Sequence, residues 1–389
     1  MKYKDYPELD HRYVDVSGVK NKKLDVAYGN HPRQKMDIYY PENGEGPFPV
    51  VMFFHGGAGD KRRHQCKLPL QGIDRGYVGI SCNYRRVVKP SNDAPNDTGL
   101  AEGEYPDCCI DAKAAIRYLR GNAKELNIDK DRIAIWGESM GSVVVNPLGV
   151  TNDFTYLEDY SINDYHESSY PNAVISFYGA KGPFGTKVLG GVSTAKLWNK
   201  SEEEIETILK NKDYSKLVSK RISPYLIMIG TDDFTQDYRD SYEYFEILNQ
   251  ITPKYGVELH LYKSKKHGVE DFMNEGCMDI CYNFLDRVMM NESKTTTIAL
   301  LSNEKHEELI EKLNEIARAN THFVELDVNE YDLSGIDILV VMDDVDGKDD
   351  IILSSKRARV AAVSIDDSMG NDPQELQDCA FRAYAQFWY

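Results

Sequence analysis

Hydrophobic and polar residues alternate along the first part of the chain, a pattern typical of half-buried β-strands. The alternation predicts strands at Tyr13–Val16, Leu24–Tyr28 and Gln34–Tyr40. Two continuous apolar runs follow, at Val50–Phe54 and Val78–Cys82. Runs of this kind are typical of strands that are buried on both faces of a parallel sheet.

Helical periodicity then appears between further apolar runs. Apolar residues from Asp107 to Gly121 are spaced for a helix, and the segment Cys277–Met290 is amphipathic. Buried strands are predicted at Ile133–Trp136, Ala173–Tyr178, Tyr225–Ile229 and Val257–Tyr262. Strands that alternate with helices at this period predict a parallel α/β sheet with crossover helices.

Two polar segments, residues 151–170 and 181–220, interrupt this alternation. Insertions at such positions often cap a site, and a solvated surface excursion is the alternative. The alternation resumes after residues 291–295, with strands predicted at Thr296–Leu301, His322–Leu326, Ile336–Met342 and Val360–Ser364 and helices at Glu304–Asn320 and Pro373–Phe387. We therefore predict a large domain over residues 1–290 and a small α/β domain over residues 294–389.

The composition is that of an ordinary soluble globular protein, with 41% hydrophobic and 28% charged residues. The net charge of −17 argues against nucleic acid or an anionic membrane as a main partner. No stretch approaches the ~18 apolar residues of a membrane span, and the first residues lack the apolar core of a signal peptide. The cysteines lack zinc-type spacing, which favours reduced thiols. These features predict a cytoplasmic protein.

The sequence lacks the common motifs that bind cofactors or metals. It contains no P-loop, no G-x-G-x-x-G after a strand and no H-E-x-x-H. The acidic segment Asp343–Asp350 looks like a calcium loop only superficially, because it lacks the ligand spacing and the terminal glutamate of an EF-hand. We therefore expect neither a metal nor a cofactor.

The most informative motif is Gly137-Glu-Ser-Met-Gly141, which follows the predicted strand Ile133–Trp136 and fits G-x-S-x-G. The glycines of this motif permit a strained strand-to-helix turn that holds the serine hydroxyl away from its own backbone. A helix that starts after Ser139 also brings free N–H groups to the place where negative charge develops. Ser139 is therefore predicted to be a nucleophile, with an ordinary serine in a tight turn as the alternative.

A serine nucleophile requires a base, an acid that orients the base, and donors for the oxyanion. The adjacent Asp232 and Asp233 directly follow the strand Tyr225–Ile229, and His267 follows the strand Val257–Tyr262. This order of acid and histidine after the serine is that of an α/β-hydrolase. Of nine histidines, His267 alone follows a sheet strand downstream of a candidate acid. The residues leave the choice between Asp232 and Asp233 open.

A glycine pair forms the candidate oxyanion site. The segment His55-Gly-Gly-Ala58 follows the buried strand Val50–Phe54, and glycines there allow backbone N–H groups to approach an oxyanion closely. Together with the N–H of Met140, the N–H groups of Gly56 and Gly57 are predicted to stabilise the tetrahedral intermediate. An ordinary glycine turn is the alternative.

These motifs resemble the α/β-hydrolase superfamily, and within it most closely the hormone-sensitive-lipase-like and BD-FAE-like esterases. The resemblance is carried, in family order, by Leu24–Gly29, Met36–Pro41, His55–Ala58, Asn83–Arg85, Pro106 with Asp111, Ile128–Ile133, Gly137–Gly141, Gly230–Asp233 and His267–Gly268. It implies an α/β-hydrolase fold, Asp233 as the acid of a G-T-x-D motif, and Gly56 and Gly57 as the oxyanion glycines. There are three departures from the family pattern: Ala58 replaces a third glycine, Ser142 stands where a glycine usually follows, and Phe234–Asp237 replaces the usual Val-Pro.

The resemblance implies a serine esterase that hydrolyses small-molecule carboxylic esters with short acyl groups, including esters of acetylated or feruloylated carbohydrates. A prolyl-oligopeptidase-like serine peptidase shares this core, although such enzymes usually carry a β-propeller and the sequence shows no repeats. A non-catalytic binding protein that keeps the fold is the other alternative.

The carboxyl-terminal segment resembles, through Tyr331–Val341, the first half of a class I glutamine-amidotransferase-like or flavodoxin-like domain. The segment is too short for a complete amidotransferase domain, and Cys379 falls in a predicted helix rather than in a nucleophile turn. We expect this small domain to mediate homo-oligomerisation or to cover the catalytic face.

Overall fold

The computed structural model of the chain divides into two units, each with its own sheet. The first unit comprises Met1–Thr252 with Gly256–Met290, and the second comprises Pro253–Tyr255 with Asn291–Tyr389. The residues that the structure describes are 14–57, 59–62, 67–87, 102–179, 182–186, 193–219, 221–251, 256–290, 296–317, 321–329, 331–333, 336, 338–357, 360–365, 372–377 and 379–380.

The first unit is built on an eight-stranded sheet with the strand order β1-β2-β4-β3-β5-β6-β7-β8. The strands are β1 (Lys22–Ala27), β2 (Lys35–Tyr39), β3 (Phe48–Phe54), β4 (Val78–Cys82), β5 (Ile128–Glu138), β6 (Ala173–Phe177), β7 (Tyr225–Gly230) and β8 (Val257–Tyr262). Strand β2 pairs antiparallel with β1 and β4, and the other neighbouring strands pair parallel. The predicted, mostly parallel α/β sheet is confirmed.

Helices flank both faces of this sheet. They are α1 (Lys67–Leu70), α2 (Asp107–Gly121), α3 (Met140–Leu148), α4 (Thr194–Trp198), α5 (Glu202–Asn211), α6 (Tyr238–Ile251) and α7 (Glu275–Leu285). Val50, Met52 and Phe54 of β3 pack with α2, α3 and α6 in one core, whereas Val51 and Phe53 pack with α1 and α7 in another. Because both faces of β3 are buried, its sequence is apolar without alternation. Among the described helices, none combines the length and the apolar character needed to cross a bilayer.

The predicted strand at Tyr13–Val16 is wrong in the part that the structure describes. Tyr13 lies outside the described residues, and residues 14–16 have no strand structure. The backbone N–H of Val14 donates a hydrogen bond to the Arg62 carbonyl at 2.9 Å. This bond is not continued into a ladder of backbone pairs, which a strand requires.

Strand β5 is longer than the sequence pattern predicts. It begins at Ile128, which pairs with Phe48 of β3, rather than at the start of the apolar run Ile133–Trp136. The intervening residues Asp129–Arg132 are polar and partly exposed or exposed. Hydrophobic periodicity therefore detects only the half of this strand that is buried in the sheet.

The polar segment 151–170, predicted as a cap or a surface excursion, lies against helix α2. Glu158 forms an ion pair with Lys113 of α2 at 3.3 Å and a second one with Arg117 of the same helix. The side-chain amide of Asn163 donates a hydrogen bond to the Ala114 carbonyl at 3.0 Å. These contacts make the segment a cover for α2, and a role as a cap over the site stays a prediction.

The second unit contains a parallel sheet with the order β10-β9-β11-β12. Its elements are β9 (Thr296–Ser302), α8 (Glu307–Ile316), β10 (Thr321–Asp327), β11 (Ile338–Val341), α9 (Lys348–Arg357) and β12 (Ala361–Ser364). This is the order of the first four strands of a flavodoxin-like sheet. Residues 373–377 are helical, and the predicted helix Pro373–Phe387 lies outside the described residues from 381 onward. An accessory domain over 294–389 stays a prediction.

A carboxylate closes the loop that follows β9 in this second unit. Oδ2 of Asp344 accepts hydrogen bonds from the Ser302 hydroxyl at 2.8 Å and from the backbone N–H groups of Asn303 at 2.7 Å and Glu304 at 3.0 Å. Nε2 of His306 lies 2.9 Å from the same Ser302 hydroxyl oxygen. Asp344 therefore satisfies successive donors at the carboxyl end of β9.

Candidate active site

The predicted nucleophile lies on a strained turn between β5 and α3. Strand β5 ends at Glu138, α3 begins at Met140, and Ser139 between them has φ 51° and ψ −114°. A φ in this range is costly for a residue with a Cβ atom and is typical of functional sites. The turn thus holds the Ser139 backbone in a conformation that an ordinary loop would not maintain.

The two glycines of the motif are required by the close packing of the turn. A Cβ atom at Gly141 would meet the carbonyl oxygen of Phe54 at the end of β3, and one at Gly137 would meet the carbonyl group of Gly141. Both obstacles are backbone atoms, which cannot move aside as a flexible side chain can. The elbow therefore packs directly against β3, the strand that leads into the candidate oxyanion loop.

Ser142, which departs from the family pattern, has a structural explanation. Its buried hydroxyl oxygen lies 2.9 Å from the Gly137 carbonyl oxygen and 2.8 Å from the Phe177 carbonyl oxygen. The Phe177 carbonyl also accepts a hydrogen bond from the Ser139 backbone N–H at 3.0 Å. Ser142 therefore ties the elbow to the end of β6 as well as to β5.

The structure brings together the three side chains that the sequence predicts as a catalytic set. Nε2 of His267 lies 2.9 Å from the Ser139 hydroxyl oxygen, and Nδ1 of His267 lies 2.7 Å from Oδ2 of Asp233. A carboxylate at Nδ1 holds the ring hydrogen on that nitrogen, so Nε2 faces the hydroxyl as an acceptor. This arrangement enables His267 to take the hydroxyl proton.

The structure brings Asp233, rather than Asp232, to the histidine. The Asp233 carboxylate is fully buried, and its second oxygen accepts hydrogen bonds from the backbone N–H groups of Thr235 and Gln236, each at 2.8 Å. Asp232 is exposed, and its carboxylate lies 3.3 Å from the Thr231 hydroxyl. The loop Phe234–Asp237, although it lacks the family's Val-Pro, therefore folds around the Asp233 carboxylate.

Tyr178 is a site residue that the sequence pattern did not reveal. It directly follows β6, has φ 34°, and packs edge-on against the His267 ring with a centroid distance of 4.8 Å. Burial raises the pKa of its hydroxyl well above the usual range, and the nearby Glu138 carboxylate raises it further. The tyrosine therefore stays neutral and supports one side of the imidazole. Its place at the end of an apolar run made it look like one more strand residue.

The candidate oxyanion loop follows β3, and it agrees only in part with the prediction. Gly57 is exposed with φ 53°, and a Cβ atom there would meet nothing within 4 Å. Met140 is the first residue of α3, so its N–H has no acceptor within the helix. The role of these two N–H groups as oxyanion donors stays a prediction. Ala58, the last residue of the His55–Ala58 segment, lies outside the described residues.

Gly56 does not fit its predicted role in this structure. Its backbone N–H donates a hydrogen bond to Oε1 of the buried Glu138 carboxylate at 2.5 Å. A donor that already serves a carboxylate has no hydrogen left for an oxyanion. A Cβ atom at Gly56 would also collide with the Glu138 carboxylate, so the glycine is needed here for the close approach of that side chain.

A cavity of about 280 Å³ lies beside the second predicted cap segment. Residues 187–192 of that segment are outside the described part of the chain. The cavity wall combines aromatic and aliphatic side chains with three charged ones, and it includes Phe184, Leu209, Lys212, Tyr214, Asp240, Glu243, Tyr244 and Ile247. The described part of the segment 181–220 therefore forms a wall of this cavity together with α6, and the role of the segment as a cap stays a prediction.

Within the described ranges, no group of three histidine, cysteine, aspartate or glutamate side chains is arranged to hold a metal ion. The six described cysteines are buried as free thiols, at positions 82, 108, 109, 277, 281 and 379.

Comparisons with known proteins find esterases among the proteins similar to this chain. Residues 36–248 match the BD-FAE family model. The chain is 24% identical over 257 residues to the probable isoprenylcysteine alpha-carbonyl methylesterase ICMEL1 of Arabidopsis thaliana, a match that covers 62% of this chain and 50% of that protein. The chain spans about half the length of the curated relatives it matches.

Solved structures show the same fold. A truncated carbohydrate esterase from gut microbiota superimposes with a TM-score of 0.55 at 20% identity, covering 71% of this chain and 98% of that one. A propionate-bound esterase, Est2 of Thermogutta terrifontis, gives a TM-score of 0.53 at 19% identity, covering 71% and 96%. At this identity the likeness establishes the fold, and the predicted α/β-hydrolase fold is confirmed.

Proposed function

The chain belongs to the BD-FAE family, and on that premise we propose that it hydrolyses short-chain carboxylic esters through a serine acyl-enzyme intermediate. The observation that carries the proposal is the continuous contact from Asp233 through His267 to Ser139, with distances of 2.7 and 2.9 Å. A serine in a strained elbow with this connection is arranged as an activated nucleophile.

The proposed reaction has two halves. In the first, the Ser139 oxygen attacks the acyl carbon while His267 takes the hydroxyl proton. The imidazolium then gives that proton to the departing alcohol. In the second, His267 takes a proton from water, the resulting hydroxide attacks the acyl carbon, and the carboxylic acid leaves as the proton returns to Ser139. Asp233 stabilises the imidazolium in both halves.

The oxyanion of each tetrahedral intermediate needs donors that no other acceptor occupies. We assign this role to the N–H groups of Gly57 and Met140. The assignment is supported by the open space at Gly57 and by the position of Met140 at the start of α3. Gly56 is left out of the donor set because its N–H serves Glu138.

For the substrate, we propose a short acyl group carried by a carbohydrate. Support comes from the structural neighbour named as a carbohydrate esterase, whereas the curated relative is named as a methylesterase of isoprenylcysteine. The two names describe different leaving groups and a common bond type.

The proposal is tested by hydrolysis of p-nitrophenyl acetate, butyrate and octanoate and of acetylated xylo-oligosaccharides. We expect the highest kcat/KM for the short acyl groups, covalent labelling of the wild-type protein by a fluorophosphonate, and a loss of about 10⁴-fold or more in Ser139→Ala. The exposed Ser215 provides a matched control, because Ser215→Ala should keep wild-type activity and labelling.

Three results would overturn the proposal in distinguishable ways. Cleavage of a prolyl p-nitroanilide peptide in preference to every ester would favour the peptidase alternative. Absence of both turnover and labelling would favour a non-catalytic binding protein. Hydrolysis of an isoprenylcysteine methyl ester without hydrolysis of acetylated sugars would leave the serine mechanism intact and replace the proposed substrate.

A further inference from the structure

The guanidinium group of Arg33 contacts three points of the candidate oxyanion loop. Arg33 lies in the turn between β1 and β2. Its Nη1 is 3.0 Å from Oδ2 of Asp60, and its Nη2 is 3.0 Å from the Gly59 carbonyl oxygen and 3.0 Å from Nε2 of His55. The arginine side chain is 13% exposed. The planar guanidinium group therefore contacts both ends of the short loop from His55 to Asp60.

We propose that Arg33 is a positioning residue that orients the oxyanion donor of Gly57, an inference that rests on the proposed function. A guanidinium group donates hydrogen bonds and does not accept them, so Nε2 of His55 is the acceptor and the ring hydrogen lies on Nδ1. That nitrogen is 3.4 Å from the Gly56 carbonyl oxygen. Arg33 thereby selects the form of His55 that can donate to Gly56.

The Gly56 carbonyl determines the direction of the Gly57 N–H, because both belong to one planar peptide group. The carbonyl also accepts a hydrogen bond from the Gly59 N–H at 3.0 Å, so it points into the loop. The peptide between Gly56 and Gly57 is trans, and in a trans peptide the N–H points opposite to the carbonyl. The Gly57 N–H is thus directed away from the loop interior, toward the open side.

Tyr84 and Asn83 hold the His55 ring and the adjoining loop in place. The ring stacks on Tyr84 with a centroid distance of 4.6 Å and an angle of 17° between the planes. The Tyr84 hydroxyl donates to the His55 carbonyl at 2.7 Å, and the Asn83 amide donates to Asp60 at 2.9 Å. These contacts hold the ring plane and the loop ends, whereas the contact to Nε2 sets which nitrogen donates.

The test compares Arg33→Met and Arg33→Lys with the wild-type full-length protein on a short p-nitrophenyl ester. Lysine keeps a positive charge beside Asp60 but has a single nitrogen in place of the fork. We expect kcat to fall about 10²-fold in Arg33→Met and about tenfold in Arg33→Lys, with KM within about threefold of wild type. The inhibition constant of a trifluoromethyl ketone, which forms an oxyanion on the serine, should rise in parallel with the loss in kcat.

Arg221 provides the matched control. It precedes β7 at the amino end of the strand and forms an ion pair with Asp153 at 2.6 Å, so Arg221→Met should keep kcat within about twofold. If Arg33→Met does not fold, as judged by circular dichroism, Arg33→Lys decides the test. Folded Arg33→Lys with wild-type kcat and wild-type inhibition would overturn the inference, as would a change in KM alone. An inactive, unlabelled wild-type protein would instead overturn the proposed function.

Discussion

The Glu138 carboxylate lies 2.5 Å from the backbone nitrogen of Gly56, across 82 positions of sequence. The residue before the candidate nucleophile therefore holds the first glycine of the oxyanion loop. A buried carboxylate that accepts a backbone N–H fixes the strand-end geometry on both sides of the site, because Glu138 ends β5 and Gly56 follows β3.

Removal of this acceptor should lower activity with little effect on substrate affinity. We expect Glu138→Ala to reduce kcat about 10²-fold, because the Gly56 N–H loses its acceptor and the loop is free to shift. Glu138→Gln keeps an oxygen at the same place and should lose less. Steady-state kinetics of the two variants check this point, and equal losses would show that the charge, rather than the hydrogen bond to Gly56, is what matters.

The two neighbouring aspartates should differ sharply in their effect on the reaction. We expect Asp233→Asn to reduce kcat about 10⁴-fold, because an amide at this position favours the wrong ring tautomer of His267. Asp232→Asn removes an exposed carboxylate and should remain within about twofold of wild type. Parallel kcat measurements on the pair provide the check, and a larger loss in Asp232→Asn would reverse the assignment.

Ser142 should contribute to stability more than to chemistry. Ser142→Ala removes the buried hydroxyl that lies within 2.9 Å of two carbonyl oxygens, and we expect the free energy of unfolding to fall by about 1 kcal/mol. Urea denaturation measures the change, and the exposed Ser215→Ala is its control. A large fall in kcat without loss of stability would contradict this structural role.

The stability of the fold should decrease in acid partly through Asp60. Burial alone would raise the pKa of Asp60, but the Arg33 guanidinium and the Asn83 amide outweigh burial and hold this pKa below its usual range. A carboxyl whose pKa is lower in the folded chain stabilises the fold above its unfolded pKa of about 3.9. That contribution is lost as the pH falls through the lower, folded value.

We therefore expect the free energy of unfolding of the wild type to decline below about pH 4 and to decline less steeply in Asp60→Asn. Urea denaturation at a series of pH values down to about pH 2 measures both slopes. Asp232→Asn serves as a control for the loss of an exposed carboxyl group. Identical slopes in wild type and Asp60→Asn would show that the contacts of Asp60 do not couple to folding.

Strands of the sheet could be predicted where their burial makes the sequence apolar. The runs at β3 and β4 are apolar because both faces of these strands are buried, so both strands could be predicted from the sequence. The first half of β5 contains the polar, partly exposed residues Asp129–Arg132, so no apolar pattern indicated a strand there. The alternation around Val14 covers too few residues to require a strand, and residues 14–16 have no strand structure.

The candidate site was predictable where it depends on chain order. Ser139, Asp233 and His267 each follow a strand, and parallel strands bring their carboxyl ends to one edge of the sheet. The contacts of Glu138 and Arg33 with the loop after β3 could not be predicted in this way. They depend on side-chain directions across long sequence separations, for which no local spacing exists.

The loop after β9 has a further consequence for the second unit. The parallel sheet of this unit has the order β10-β9-β11-β12, so successive strands are added on one side of β9 first and then on the other. The switch point therefore lies between β9 and β11, which is where open α/β sheets bind their ligands. Asp344 already supplies the negative charge at that corner. The backbone N–H groups of Asn303 and Glu304 after β9 are thus already bound by a carboxylate of the chain itself.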